Sequence, residues 1–471
     1  MLKSLISRTL LGLLVLGAFL PVAMNQAAPA ADSLIILHPH STEFAGHVID
    51  GFKTWYQTET GSSITVTTSE KYSGDCWADV ETWNGTNPEA DVWWGGGEYY
   101  FELARQADLL HPYNVTEDAN VTDILGGWHL KDDSGDYAEV VWYAAAMSGF
   151  GIIYNKEYLT TEELDIPTTW DDLADPSYFG HISMCDPDLS GSTVAIVKQL
   201  LMAMAPSGEI TYETDTTDAW ELWVQISGNV GTFTTSSSKV PGEVSEGNAG
   251  IGLCIDYYAR DLMKTDTNIG FNYGGATTVS PDPAGIIKGA TNLEPAKKFM
   301  DYLIGTAGQT LVGDFRTPAN FKADTASHIP KAFTSTGAPN TVDFPIIANY
   351  EPWLDSAVHS RAEALFHYWI VEPHTELKEA WEQINTLDDG AEKTDAIATL
   401  TKLPSDFNGT FAGLRDLKYK DTNATAAWTD HGKTQFEAAF KEAGGGAVPG
   451  FEILIVLITL IVFIPFLRKK K

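Results

Sequence analysis

The sequence of 471 residues predicts an α/β protein of two lobes, with a signal peptide at its N-terminal end and a transmembrane helix at its C-terminal end. Apolar runs that suit strands alternate with segments of helical periodicity, and this alternation is typical of parallel sheets covered by helices. The body between the two apolar ends has about 400 residues, which exceeds a usual single core and favours division into two lobes. Both apolar ends are flanked by basic residues, which indicates a targeting segment and a membrane span.

The N-terminal end has the three parts of a secretory signal peptide, which we predict for residues 1–30. Lys3 and Arg8 form the basic part, Leu10–Leu20 form the short apolar part, and Ala27–Ala31 supply small residues for cleavage. We therefore expect the protein to be exported.

The C-terminal end resembles a membrane anchor. Residues 451–467 are 17 mostly apolar residues, which as a helix would extend about 25 Å, close to the thickness of a bilayer. Residues 468–471 are all basic and would stay in the cytoplasm, so the preceding chain would face outward. The glycine-rich residues 444–450 would form a flexible linker between body and span.

The first half of the body predicts a parallel sheet whose loops bind a ligand. Ser33–Pro39, Ser63–Ser69 and Ala90–Trp94 suit strands, and Gly95–Gly97 break the third of them. Ligands of open α/β sheets lie outside the carboxyl ends of the strands, so the loops that follow these strands are candidates. The residues predicted to bind ligand in this part are His40, Ser41 (also a helix N-cap), Trp94, Gly95 and Gly96.

A second alternating block, residues 148–255, contains a candidate anion site. Ser190–Thr193 lie directly before a strong helical run, where free backbone N–H groups and hydroxyls favour an anionic group. An ordinary N-cap is the alternative interpretation of the same residues. The ligand-binding residues predicted in this block are Ser148, Ser190, Gly191, Ser192 and Thr193.

The charge balance excludes some classes of partner. The chain has 30 Lys and Arg residues against 63 Asp and Glu residues, a net charge of −33. Such a surface does not favour binding to nucleic acid through a basic patch. We expect a monomer that binds a small solute, and no motif implies a cofactor.

Two longer stretches resemble the extracellular solute-binding proteins of ABC importers, in the group that includes ferric-iron, thiamine and polyamine binders. They are "IPTTWDDLADPSYFGHISMCDPDLSGST" and "VSPDPAGIIKGATNLEPAKKFMDYLIGTAGQTLVGDFRTPAN", and the likeness covers about Ser33 to Asn320. The resemblance implies a type II periplasmic-binding-protein-like fold, hinge-crossing strands near residues 140–155 and 252–261, and delivery of solute to the permease subunits of a transporter. It divides the chain into lobe 1 (31–146), lobe 2 (147–255), a return to lobe 1 (256–330) and a mostly helical C-terminal extension (331–443).

The "PGFE" sequence before the apolar C-terminal run is similar to archaeal C-terminal sorting signals. This likeness implies a protein held at the cell surface by its C-terminal end. Extracellular anchoring of the body is thus the predicted location.

Two kinds of ligand are compatible with the sequence. Ferric-iron binders of the resembled group use adjacent tyrosines, and Tyr257 and Tyr258 stand near the expected position. Asp256, Tyr257 and Tyr258 are the ligand-binding residues predicted in this segment. Phenolate oxygens suit a hard trivalent cation. Alternatively, aromatic residues hold a small organic anion or phosphate-bearing molecule by stacking, with Ser190–Thr193 opposite. The aromatic residues proposed for this role are Trp93, Trp94, Tyr143 and Tyr257.

Two other functional classes, a metal-dependent hydrolase and a surface-layer protein, require different sequence features. His38, His40, Glu43 and His47 are close in sequence, as in a secreted metal-dependent hydrolase. A surface-layer protein would contain repeats and β-sandwich patterning, which the sequence lacks. The sequence also lacks a nucleophile elbow, an H-E-x-x-H motif and a Walker loop, so we expect a binding protein and not an enzyme.

Overall fold

The computed structural model describes residues 32–121, 124–125, 128–132, 140–203, 214–319, 352–418 and 422–446. The predicted signal peptide, the predicted span with its basic tail, and residues 447–450 of the linker lie outside these ranges. No helix within the described ranges has both the length and the apolar character that crossing a bilayer requires.

The first lobe begins with a parallel sheet covered by helices, as predicted. Its first elements are β1 (Asp32–His38), α1 (Thr42–Thr60), β2 (Ile64–Glu70), α2 (Ser73–Trp83), β3 (Val92–Trp94), α3 (Glu98–Gln106), β4 (Leu110–His111), β5 (Ile124–Leu125) and β6 (Trp128–His129). Strand β1 lies in parallel between β2 and β3. Ser41 caps α1, because its side chain accepts a hydrogen bond from the backbone N–H of Phe44 at 3.4 Å.

The second lobe has its own sheet. Its elements are β7 (Tyr143–Asn155), α4 (Lys156–Thr161), β8 (Ile182–Cys185), α5 (Gly191–Ala203), α6 (Thr217–Asn229), β9 (Val230–Thr234), α7 (Lys239–Ser245), β10 (Ile251–Ile255), α8 (Asp256–Met263) and β11 (Ile269–Asn272). Strands β7, β10, β8 and β9 are neighbours in that order, and β11 also pairs with β7.

The chain then returns to the first lobe. The returning elements are β12 (Val279–Ile287), α9 (Leu293–Ile304), α10 (Thr306–Val312) and β13 (Thr317–Pro318). Strand β12 is antiparallel to both β3 and β7, so it joins the first sheet between them.

The long strand β7 connects the lobes. Its residues up to Gly149 pair with β12 in the first sheet, and its residues from Phe150 pair with β10 in the second. The first crossing therefore lies within the predicted stretch, at 149–150.

The return crossing lies later than predicted. It comes just before Val279, because β11 still pairs with β7 in the second sheet and α8 packs beside it. Residues 256–278, which the sequence analysis assigned to lobe 1, therefore belong to lobe 2.

The described part of the C-terminal extension, residues 352–446, is helical and packs on lobe 2. It contains α11 (Pro352–Phe366), a π-helical turn (His367–Val371), α12 (His374–Ile384), α13 (Ala391–Leu400), α14 (Phe411–Asp416) and α15 (Thr422–Glu442). Its apolar residues share one core with α5, α6 and β8. Trp381 lies at the centre of this contact: its indole N–H donates to Asn229 Oδ1 at 2.6 Å, and its ring fills the space beside Gly228. The extension thus completes the core of lobe 2.

We predict that Trp381→Ala lowers the free energy of unfolding by about 3 to 5 kcal/mol, because it leaves a cavity and an unpaired Asn229 amide oxygen. Urea unfolding followed by fluorescence would measure the loss. The control is Tyr72→Ala, since Tyr72 is an aromatic residue with 66% of its surface exposed. Equal stability of the two variants would contradict a shared core.

Candidate functional site

The first wall of the candidate site is the loop after β3. Gly95, Gly96 and Gly97 have φ angles of 90°, 115° and 89°, a region that strongly favours glycine. This conformation directs the Gly96 N–H to Asp282 Oδ1, at 3.0 Å. A Cβ atom on Gly95 would lie 2.3 Å from His40 Cε1, so His40 packs directly on this glycine. The predicted residues His40, Gly95 and Gly96 therefore meet, and they do so around an aspartate that the sequence analysis did not select.

His40 is a buried, neutral imidazole. Burial, with smaller contributions from Arg316 and His38, lowers its pKa well below 6.5. Its Nδ1 lies 3.8 Å from Asp282 Oδ2, and its Nε2 has no hydrogen-bond partner among the described residues. A neutral imidazole beside a carboxylate suits the hydroxyl groups of a ligand, because both can exchange hydrogen bonds with them.

The hypothetical metal site around His40 is not formed. His47 bonds with Asp314 Oδ2 at 2.9 Å instead of facing the other histidines. The His38 and His40 rings stack with centroids 5.7 Å apart. In the ranges that the structure describes, no group of three His, Cys, Asp or Glu side chains is placed to hold a metal ion.

The aromatic residues Trp93, Trp94 and Tyr143 do not line the cleft, contrary to the prediction. Trp93 stacks on Phe101, and Tyr143 donates its hydroxyl to Asp118 Oδ1. Trp94 is 1% exposed and packs beneath His40, with ring centroids 4.4 Å apart. All three lie on strands of a sheet that helices cover on both faces, so they pack in the core of the first lobe.

Arg316 is the principal site residue that the sequence analysis missed. Its guanidinium lies 3.2 Å from the centroid of the Tyr257 ring and 4.3 Å from that of Phe44, so it joins a ring from each lobe. The residue is 2% exposed, and its Nε and Nη1 atoms have no hydrogen-bond partner within the described part of the chain. A buried cation whose N–H donors lack acceptors destabilises the protein unless a bound anion accepts hydrogen bonds from them. The sequence signal was a lone arginine after an apolar helix, in the quoted "DFRTPAN".

The second wall is the start of α8, where Tyr257 and Tyr258 lie. Their ring centroids are 4.5 Å apart. Burial, as the first cause, raises the pKa of both hydroxyls, and for Tyr257 the rise is large. Both residues are therefore neutral phenols, which can donate hydrogen bonds to a ligand.

Asp256 and Ser148 lie at the lobe crossing. Asp256 Oδ2 accepts hydrogen bonds from the Gly149 N–H at 3.1 Å and from the Tyr273 hydroxyl at 2.9 Å. Ser148 is buried one residue before the crossing. These contacts hold the hinge strand in place, so the position of Asp256 indicates a structural role in the crossing.

Ser190–Thr193 form the N-terminal end of α5, as predicted. The Ser190 hydroxyl accepts a hydrogen bond from the Thr193 N–H at 3.3 Å, which is the pattern of an N-cap. Ser192 is half-buried, and Thr193 is buried with its hydroxyl beside the Cys185 thiol. Ser190 therefore acts as an N-cap. The space beside Gly191 is open, since a Cβ atom added to this glycine would meet no atom within 4 Å.

Direct contacts thus assemble one compact group between the lobes, which we call the arginine site. Most of its residues lie in loops next to strands. Asp282 lies in β12, and Tyr257 lies in α8. The arginine site consists of His40, Gly95, Gly96, Gly97, Tyr257, Asp282 and Arg316.

We predict that Arg316→Met lowers the free energy of unfolding of the solute-free protein by about 1 to 2 kcal/mol, because the ring contacts and the attraction to the Asp282 carboxylate are lost while an incompletely bonded charge is removed. The control is Arg260→Met. Arg260 is also buried, but its Nη2 donates to Thr317 Oγ1 at 2.7 Å and its charge stabilises the Asp256 carboxylate. This variant should lose about 3 to 5 kcal/mol, as buried pairs do. Urea titrations that show equal losses would contradict a site role for Arg316.

Solved structures with the same fold are periplasmic binding proteins. The periplasmic binding protein P5PA is 22% identical with a TM-score of 0.53, over 66% of this chain and 92% of that one. The substrate-binding protein of an ABC transporter from Agrobacterium tumefaciens is 16% identical with a TM-score of 0.54, over 71% and 94%. These likenesses confirm the predicted two-lobed fold.

Sequence relatives agree with the fold. The phosphoglycerate transport regulatory protein PgtC of Salmonella typhimurium is 30% identical over 189 residues, which are 40% of this chain and 45% of the relative, so the match spans under half of that protein. An uncharacterized protein of Haemophilus influenzae is 26% identical over 312 residues, 64% of this chain and 80% of the relative. Residues 87–338, more than half of the chain, match the family described as bacterial extracellular solute-binding protein. The chain therefore belongs to the bacterial extracellular solute-binding protein family.

Proposed function

We propose that the protein captures a small organic anion, with a phosphate or carboxylate group and neighbouring hydroxyls, and delivers it unchanged to the permease subunits of an ABC importer. The observation that carries this proposal is Arg316. Among the described residues, no group accepts a hydrogen bond from Nε or Nη1 of its buried guanidinium, which lies where the two lobes meet. Guanidinium groups bind phosphate and carboxylate oxygens in a bidentate manner, so this is the natural contact for the anionic group.

The neighbours of Arg316 favour a hydroxylated ligand over a bare anion. The Asp282 carboxylate and the neutral His40 imidazole lie beside each other, and both interact well with hydroxyl groups. Burial raises the pKa of Asp282, while Arg316 and the backbone N–H groups of Gly96 and Gly97 oppose the rise. An anionic group on Arg316 and a hydroxyl on Asp282 would together fix the orientation of one small molecule.

Two similar proteins support this class of ligand. The Salmonella relative is called a phosphoglycerate transport regulatory protein. The periplasmic binding protein AfuA from Actinobacillus pleuropneumoniae, 20% identical with a TM-score of 0.51 over 61% of this chain and 85% of that one, was solved with fructose-6-phosphate bound. Both names refer to molecules with a phosphate group and hydroxyls.

The alternative ligand, ferric iron on Tyr257 and Tyr258, is less well supported. Iron ligation replaces the proton of each phenol by the metal ion, and both phenols are buried and protonated before a ligand binds. The Arg316 guanidinium also lies on the Tyr257 ring, where its positive charge opposes a trivalent cation. An organic anion needs neither deprotonated tyrosine nor removal of the arginine.

We predict that Arg316→Met weakens binding of the solute by at least one to two powers of ten, because each charge-assisted hydrogen bond contributes about 1.5 to 3 kcal/mol. Mass spectrometry of molecules released from denatured protein, followed by calorimetry with phosphorylated and carboxylated polyols, would identify the solute and measure its affinity. Arg415→Met is the control, since Arg415 lies outside the arginine site and pairs with its exposed neighbour Asp416.

Three results would contradict the proposal. They are stoichiometric iron in the protein as isolated, equal affinities of the two arginine variants, and chemical conversion of the solute during incubation. The last result would favour an enzyme over a binding protein.

We further propose that the protein is exported and held at the cell surface by residues 451–467. The support is the sequence alone: an apolar run followed by "RKKK", and a signal-like start. We expect the full chain to sediment with membranes and a chain that ends at residue 446 to remain in the supernatant. Protease added to intact cells should remove the body, and protection of the body would contradict outward exposure.

A further inference from the structure

Helix α11 of the C-terminal extension contacts the first lobe, although the extension packs on the second. The ring of His359 in α11 stacks on the ring of Tyr99 in α3, with centroids 4.2 Å apart and planes 7° apart. The Tyr99 hydroxyl also shares a hydrogen bond with Ser360 Oγ at 3.2 Å. We call these three residues, Tyr99, His359 and Ser360, the latch.

The other side of α11 is fixed to lobe 2 by polar contacts next to the start of α5. Lys198 Nζ, from α5, lies 3.0 Å from His359 Nδ1. Glu363 shares a hydrogen bond with Asp188, from the turn that precedes α5. In the following π-helical turn, His367 Nδ1 pairs with Asp186 at 2.8 Å. Because of these contacts, α11 moves with lobe 2, and the latch is a contact between lobes.

The latch borders the candidate cleft on one side. Tyr99 follows Gly97 of the first wall by two residues, so the latch lies next to the arginine site in the chain. Asp188 precedes Ser190, the N-cap of α5, by two residues. The family match ends at residue 338, before α11 begins. The contact is therefore an addition to the part of the chain that the family describes.

We propose that α11 is an interlobe latch, which holds the two lobes together in the absence of solute through Tyr99, His359 and Ser360, and that opening of the lobes exposes the neighbouring pair His359 and Glu363 to water. Opening would separate Tyr99 from α11 and admit water to these groups. The latch would thus set how often the empty cleft opens, independently of which solute the cleft binds.

The charged groups around the latch come from every element packed on it. Lys198, Asp186 and Asp188 face it from lobe 2, and Tyr99, Tyr100 and Asp75 face it from lobe 1. The extension itself contributes Glu363, His367 and Glu372. Of these groups, His359 contacts the rings of Tyr99 and Tyr100 directly, and Glu363 lies one helical turn after His359.

The protonation of His359 and of Glu363 makes closure of the lobes depend on pH in opposite directions. Burial, as the first cause, lowers the pKa of His359 well below 6.5, and opening would relieve this burial, so protonation of His359 as the pH falls favours the open state. Burial, as the first cause, raises the pKa of Glu363 from 4.5 to about 8, and opening would relieve it, so ionisation of Glu363 as the pH rises toward 8 also favours the open state. Lys198 and Asp188 lie in lobe 2 with α11 and keep their effects on both pKa values when the lobes separate.

The test is a distance measurement between spin labels on the full chain in detergent, without solute. Labels at Glu59→Cys in lobe 1 and Ile166→Cys in lobe 2 report the separation of the lobes, while the native Cys76, Cys185 and Cys254 are buried. We expect Tyr99→Ala to lower the ratio of short to long distances by roughly threefold to tenfold, since a stacked pair contributes that factor. Tyr99→Phe keeps the stacking and should show a smaller change.

The matched control is Tyr158→Ala. Tyr158 also pairs with a histidine, His181 at 2.8 Å, but both residues lie in lobe 2. This variant should leave the distances unchanged. If Tyr99→Ala fails to fold, Ser360→Ala, which removes only the hydrogen bond, decides the question in its place.

In a second measurement, Glu363→Gln should abolish the opening of the wild-type protein between pH 6.5 and 8. Distances that do not respond to Tyr99→Ala or Ser360→Ala, or a wild-type protein equally closed at pH 6 and 8, would overturn the latch. Because no solute is present, these results are separate from the success or failure of Arg316 as a ligand contact.

Discussion

Strand β7 is the constraint on which the rest of the molecule depends, because one continuous strand belongs to both sheets. Its residues before Gly149 pair with β12, and those after it pair with β10. Asp256 fixes the change of sheet by accepting hydrogen bonds from Gly149 and Tyr273. Since Tyr257 follows Asp256 directly, the residue that holds the crossing also positions the aromatic wall of the arginine site. The hinge and one wall of the arginine site are therefore built by adjacent residues of one helix.

The cleft contains a buried positive charge, whereas the chain as a whole is strongly negative. The chain has a net charge of −33, yet the interlobe contact buries a cation on two aromatic rings. The acidic surface contributes little there, because exposed charges are screened by salt whereas buried groups are not. The same principle applies to α11, where Lys198, His359 and Glu363 are enclosed between helices. Both regions place titratable groups between the lobes, so opening changes their solvation.

The fold was predictable from the sequence to a greater extent than the site. Strands β1, β2 and β3 and the Ser41 cap follow from local patterns, which do not depend on distant residues, whereas the first crossing was expected from the family resemblance. The return crossing was predicted too early, because β11 is a short strand whose place is decided by pairing with β7. His40, Gly95 and Gly96 were found because loops at strand ends form clefts. Arg316 and Asp282 could not be found in this way, since each lies more than 180 residues from Gly96 and is brought there by the return of the chain. Trp94 was placed wrongly, because periodicity does not reveal which face of a covered strand meets a ligand.

The discontinuity of both lobes has a consequence for biosynthesis. The first sheet lacks β12 until residue 287 has been made, and the core of lobe 2 lacks Trp381 and its helical neighbours until most of the chain has followed. Contacts this far apart in sequence form slowly, because closing long loops precedes any gain from pairing. Neither lobe can therefore mature as an independent N-terminal unit during synthesis. The first sheet can be completed only after β12 has emerged, and the core of lobe 2 only after the helices of the C-terminal extension have emerged.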